Sequence, residues 1–125
     1  PAMNGWRHRQ LAAGRWWELT LAEQLGNVGS EVSRALRWRQ RNPALAQGAL
    51  ERALELFDLT LADPRHRARP GRLRELARAR EVVADHFSAA PTFAGDAAAL
   101  QRYFDAFALA ARRTRQSAPA SPTAP

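Results

Sequence analysis

The chain has no cysteine. That excludes a disulfide framework, a thiolate zinc site and a cysteine nucleophile. Lysine is also absent: all 19 residues in the lysine-plus-arginine count are arginine. No run of about 18 apolar residues occurs, so no membrane-spanning helix is expected. The first residues contain no apolar signal-peptide core, which makes the cytoplasm the expected compartment. No glycine-rich phosphate loop follows a strand, and no serine–histidine–acid pattern appears. There is no internal repeat. Pro1-Ala2 before Met3 reads as a cloning remnant, with Met3 as the native start.

What is present fits one domain around one hydrophobic core: 125 residues, 46% of them hydrophobic and 25% charged. The formal net charge is +7. Arginine binds phosphate through two parallel hydrogen bonds and stacks on bases, so the balance suits a nucleic-acid partner. A genome rich in G and C would explain arginine in place of lysine. It would not explain the excess of positive charge.

Hydrophobic spacing predicts an all-α fold: an antiparallel up-down four-helix bundle over 20–115, an irregular basic arm over 1–19 and a disordered proline- and alanine-rich tail over 116–125. The arm carries Trp6, Arg7, His8, Arg9, Arg15, Trp16 and Trp17, interrupted by Gly5 and Gly14. Thr20 and Glu23 form a capping box for the first helix. Leu21, Leu25, Val28, Val32, Ala35 and Leu36 then recur at steps of mostly four and three, one face of a bundle helix ending near Arg41. Beside that face runs a stripe of small residues, Ala22, Gly26, Gly29 and Ser33. Two helical glycines cost about 1 kcal/mol each relative to alanine. A close helix or subunit contact would offset that cost, and Gly26 and Gly29 are the expected oligomer contact.

Asn42-Pro43 opens the second helix, with Ala46, Ala49, Leu50, Ala53, Leu54, Phe57 and Leu61 inward; Asp63-Pro64 ends it. A basic turn follows from Arg65 to Gly71. The third helix spans about Arg72 to Phe87, with Leu73, Leu76, Ala77, Val83, Ala84 and Phe87 inward. Pro91 and Gly95 mark a loop. Asp96 caps the fourth helix, whose core face is Leu100, Tyr103, Phe104, Phe107, Ala108 and Ala111. Arg112, Arg113 and Arg115 suit its C-terminal dipole.

Three constellations could carry function. At the end of the first helix, Arg34, Arg37, Trp38 and Arg41 share one surface. A guanidinium row with one aromatic suits a phosphate backbone and a stacked base. Arg65, Arg67, Arg69, Arg72 and the arm could extend it into one continuous basic surface. Tryptophan and arginine also serve protein interfaces, so Trp6, Trp16, Trp17 and Trp38 could instead dock a protein partner.

The second constellation is Glu51, Glu55 and Asp58 on one face of the second helix. Di-iron bundles need a glutamate followed three residues later by histidine, from two helices. That pair is absent, and no metal or other cofactor is expected. Ion pairing with Arg52, Arg74, Arg78 or Arg80 is the better reading, with Arg80 sent inward by its spacing. A buried pair of this kind would fix the register of the bundle.

The third is Arg80 with His86. This spacing resembles the catalytic motif of HEPN ribonucleases, which are small, all-α and often dimeric. The resemblance implies metal-independent RNA cleavage, with His86 on the 2′-hydroxyl or leaving oxygen and Arg80 stabilising the phosphorane. A structural role for Arg80 is the competing reading.

Bundle length, helix order and basic surface from Thr20 to Arg115 also resemble another group. These are the four-helix-bundle proteins related to the 23S rRNA intervening-sequence protein and the accessory variability determinant of diversity-generating retroelements. The stretches Gly29–Leu36 and Glu51–Leu56 look family-like. The resemblance implies a pentameric, non-enzymatic accessory protein that binds RNA or a nucleoprotein partner such as a reverse transcriptase. It transfers fold better than function.

Overall fold

The computed structural model describes residues 13–88 and 97–117. Trp6 and the rest of 1–12, Pro91 and Gly95, the Asp96 cap and the tail from 118 lie outside the described residues, as do the side chains of Ala111 and Arg115. The protein is all-helical among the described residues, and no helix there is long and apolar enough to cross a membrane.

Helix α1 spans Leu21–Trp38. Thr20 Oγ1 accepts the Glu23 N–H at 3.1 Å, and Glu23 Oε1 accepts the Thr20 N–H at 3.0 Å. This reciprocal box satisfies two amide hydrogens that the first turn cannot. The Arg41 and Asn42 N–H groups both donate to the Trp38 carbonyl, closing α1 three residues earlier than its spacing predicts. Helix α2, Pro43–Leu61, starts on Asn42, whose Oδ1 accepts the Leu45 N–H at 3.3 Å.

Asp63-Pro64 does more than stop α2. Asp63 caps a four-residue helix, α3 (Pro64–Arg67), through a 2.9 Å bond from the Arg65 N–H. The expected basic turn is therefore partly helical. Helix α4 is Pro70–His86 and α5 is Ala97–Ser117.

The close helix pairs are α1 with α2, α1 with α5 and, to a lesser extent, α2 with α4. Contacts fix their directions. Glu31 meets Arg52 and Gln24 meets Asp63, so α2 runs antiparallel to α1. Gly29 meets Phe104 and Gly26 meets Ala108, so α5 does too. Asp58 with Arg80 and the Asp63 corner give α4 the direction opposite to α2.

The core follows the 3.6-residue spacing. Leu25, Val28, Val32 and Ala35 of α1 are buried with Ala49, Leu50, Ala53 and Phe57 of α2. Leu76, Ala79 and Val83 enter from α4, and Leu100 and Phe104 from α5. The Phe57 and Phe104 rings meet edge to face, 6.1 Å apart. Tyr103, expected inward, is 44% exposed: it sits one position before Phe104, and only one of the two can face α1.

The described part of the expected arm is docked against this core. Residues 13–16 form one helical turn, and Trp16 is buried. Its Nε1–H donates to Thr60 Oγ1 at 2.8 Å, while Trp17 Nε1–H donates to the Leu59 carbonyl at 2.8 Å. Both indole N–H groups are thus engaged within the chain.

Candidate functional site

Two features stand apart from ordinary helix packing: a buried polar corner at one end of α1 and an arginine-rich rim at the other.

The corner is built where α2 turns through α3 into α4. Its members Gln24, Thr60, Asp63 and His66 are all essentially inaccessible to solvent. Gln24 is the hub. Its Nε2 donates to the Trp16 carbonyl and to Asp63 Oδ2, both at 3.0 Å, and its Oε1 lies 2.7 Å from His66 Nε2. Since Gln24 Oε1 can only accept, His66 must donate from Nε2, which leaves Nδ1 as an acceptor. Arg72 Nη1 stands 3.4 Å from that Nδ1 and supplies the donor. Arg65 grips Asp63 from the solvent side: Nη2 donates to Oδ2 at 2.7 Å and Nε to Oδ1 at 3.1 Å, and Nη2 also reaches the Leu19 carbonyl at 2.6 Å. No buried side-chain nitrogen or oxygen among the described residues lacks a partner.

The charges follow from this geometry. Burial pushes the Asp63 carboxyl up. Hydrogen bonds from the Arg65 and Gln24 side chains and the Arg65 backbone outweigh it and hold Asp63 at about 2, below its ordinary 3.8. Burial pushes His66 down from 6.5; Asp63 opposes that, while Arg72 and Arg65 add to it. His66 is thus a neutral ring held in one tautomer.

This corner escaped the sequence pattern. Its residues come from positions 16 to 72 and share no period. A local signal existed: Asp63-Pro64 repeats the Asn42-Pro43 grammar of cap plus first-turn proline, and His66 lies three residues past that cap.

At the far end of α1, Arg37 and Arg41 are exposed and Trp38 is half-buried. Arg41 lies over the Trp38 ring, 5.9 Å from its centroid. Arg34 pairs with Glu31 at 2.8 Å. Neighbouring Arg39 stacks over Phe87 and donates to the His86 carbonyl, tying α1 to the end of α4. Arg34 and Arg37 also border an open groove between α1 and α5, of about 290 Å³, floored by Gly26, Gly29, Phe104 and Ala108.

Among the described residues, the arginines of the expected basic surface fall into two groups. Arg65 binds the Leu19 carbonyl just before α1, whereas Arg37 and Arg41 lie at its end. At 1.5 Å per helical residue the length of α1 separates the two groups by about 27 Å. They also differ in freedom: Arg65 and Arg72 are engaged by Asp63 and His66, while Arg67 and Arg69 are exposed.

Arg80 does pair with a carboxylate, but not a buried one. Its Nε donates to Asp58 Oδ1 at 2.8 Å, with Asp58 60% and Arg80 33% exposed. The spacing sends the Arg80 backbone toward α2, and the long side chain carries its head out to water. Glu51 accepts a 3.4 Å bond from Gln47, Glu55 is exposed, and neither forms an ion pair among the described residues. Arg52 binds Glu31 instead.

Arg80 and His86 have separate partners. While Asp58 holds Arg80, the His86 ring packs edge-on against Phe87 at 5.3 Å. Six residues along a helix leave the two side chains about 120° apart around the axis. Of Gly26 and Gly29, the expected oligomer contact, Gly29 lies against Phe104 and Gly26 faces Ala108, both on α5 of the same chain.

No protein-family model, curated protein or solved structure matches the chain.

Proposed function

We propose that this chain is a non-enzymatic helical accessory protein that binds RNA or another nucleic acid through exposed arginines. The end of α1 is its primary contact, and the helices complete an up-down four-helix bundle. One observation carries the reading: Arg37 and Arg41 reach solvent beside the half-buried Trp38, on a chain of net charge +7. Guanidinium groups neutralise phosphates and the indole offers a stacking face. Self-association and a nucleoprotein partner such as a reverse transcriptase belong to the same proposal. The test is titration of the protein into labelled structured RNA at several salt concentrations. Binding that weakens steeply with salt is expected; no binding at low salt overturns the proposal.

A second reading is a protein-docking adaptor, favoured by three large apolar side chains at the surface: Leu45 at 49% exposure, Tyr103 at 44% and Leu109 at 42%. Capture of a protein partner that survives nuclease treatment would support it.

A further inference from the structure

The corner around His66 is fully hydrogen-bonded, yet its stability rests on one ring being uncharged. We propose that His66 is an acid-sensitive latch: adding a proton to it loosens the docking of residues 13–20 on the ends of α1 and α2 and bares Trp16 and Trp17.

The geometry carries this. His66 is 1% exposed and sits among three charged side chains: Asp63 on its own turn, Arg65 on the same short helix and Arg72 from α4. From α1 it meets the uncharged Gln24 side chain. The one carboxylate is already bound by Arg65 through both oxygens and by Gln24. It lies 3.5 Å from His66 Nε2, beyond the 2.7 Å bond that the ring makes to Gln24. A second proton would go to Nδ1. That atom could then no longer accept from Arg72, and two donors would face each other at 3.4 Å. Two guanidinium groups and an imidazolium would share a single carboxylate inside the protein. Such a site relaxes by opening to water.

What opens is set by connectivity. Gln24 bridges His66 to the Trp16 carbonyl, and Arg65 bridges Asp63 to the Leu19 carbonyl. Both links run from the corner to the 13–20 segment. That segment is otherwise held by the two indole hydrogen bonds and the burial of Trp16.

The experiment uses the full chain between pH 8 and 5. Amide exchange, corrected for intrinsic rates, is read at 13–20 together with tryptophan emission. We expect exchange there to rise several-fold and emission to move to the red, with a midpoint below 6.5, while far-UV circular dichroism holds. His86→Gln should keep the transition and His66→Gln should abolish it. Equal exchange at both pH values, or the same transition in His66→Gln, overturns the proposal. If His66→Gln does not fold, the wild-type His66 ring is titrated by NMR. It should titrate below 6.5, and Arg72→Met should raise its midpoint. A midpoint at or above 6.5, or no response to Arg72→Met, overturns the latch.

Discussion

Gly29 lies directly beneath Phe104: a Cβ built on Gly29 would stand 2.6 Å from the Phe104 Cβ. One turn earlier, a Cβ on Gly26 would meet Ala108 Cα at 3.5 Å, an ordinary contact. The two glycines of one stripe therefore have opposite substitution outcomes. Gly29→Ala must push α5 away from α1 and should cost about 1–3 kcal/mol, as overpacked cores do. Gly26→Ala keeps its contact and gains helix propensity, so it should be neutral or stabilising by up to about 1 kcal/mol. Urea unfolding of the two variants checks the contrast. Equal destabilisation would show that α5 does not sit on this stripe.

The Asp63 carboxylate gives a pH signature. Its folded value of about 2 lies below the ordinary 3.8. The lowered value means that Asp63 stabilises the fold fully above 3.8, and that this contribution is lost as pH falls through 2. The difference corresponds to about 2 kcal/mol. Asp63→Asn should cost at least about that much at neutral pH, because it also strips Arg65 of its partner. The gap between wild type and variant should close as pH falls between about 4 and 2. Denaturant midpoints across that range are the measurement. A gap that persists at pH 2 would mean that Asp63 acts by shape rather than charge.

These two sites mark what the sequence could and could not reveal. The caps at Thr20 and Asn42 and the inward faces of α1 and α2 were legible, because each is written in neighbours three or four residues apart. The close approach at Gly26 and Gly29 was legible as well, but not its partner. A missing side chain says that something comes near, not which helix it is. The corner was illegible for a different reason: Trp16, Gln24, Thr60, Asp63 and His66 lie on separate segments, and only the folded chain brings them together. Arg80 shows the limit of periodicity. The pattern places its Cα, while four rotatable side-chain bonds decide where its charge ends up.

That limit sets the expectation for Asp58 and Arg80. Their 2.8 Å bond is short, but Asp58 is 60% exposed and water competes for it. Exposed pairs contribute about 0.2–1 kcal/mol. Arg80→Ala should therefore fall within that range and shrink further in 1 M salt, as a thermal or urea unfolding comparison would read. A cost of several kcal/mol would place the pair in a drier setting than the one described.

The two arginine groups should separate cleanly in binding experiments. Arg37 and Arg41 are exposed and form no ion pair among the described residues, so each is free to neutralise a phosphate. If the end of α1 contacts nucleic acid, Arg37→Ala and Arg41→Ala should each lower the slope of log affinity against log salt by about 0.7–0.9, with the fold intact. Trp38→Ala should weaken binding to unpaired nucleotides by about 1–3 kcal/mol with little change in slope, since stacking releases no counterions. Arg65 is the internal control. Its guanidinium already donates to Asp63 and to the Leu19 carbonyl, leaving little of it for phosphate. Arg65→Ala should therefore lower stability and leave the salt slope near that of wild type. If Arg65→Ala cuts the slope as Arg37→Ala does, the binding surface extends to both ends of α1; if only Arg65→Ala cuts it, the contact lies at the Asp63 corner and not beside Trp38.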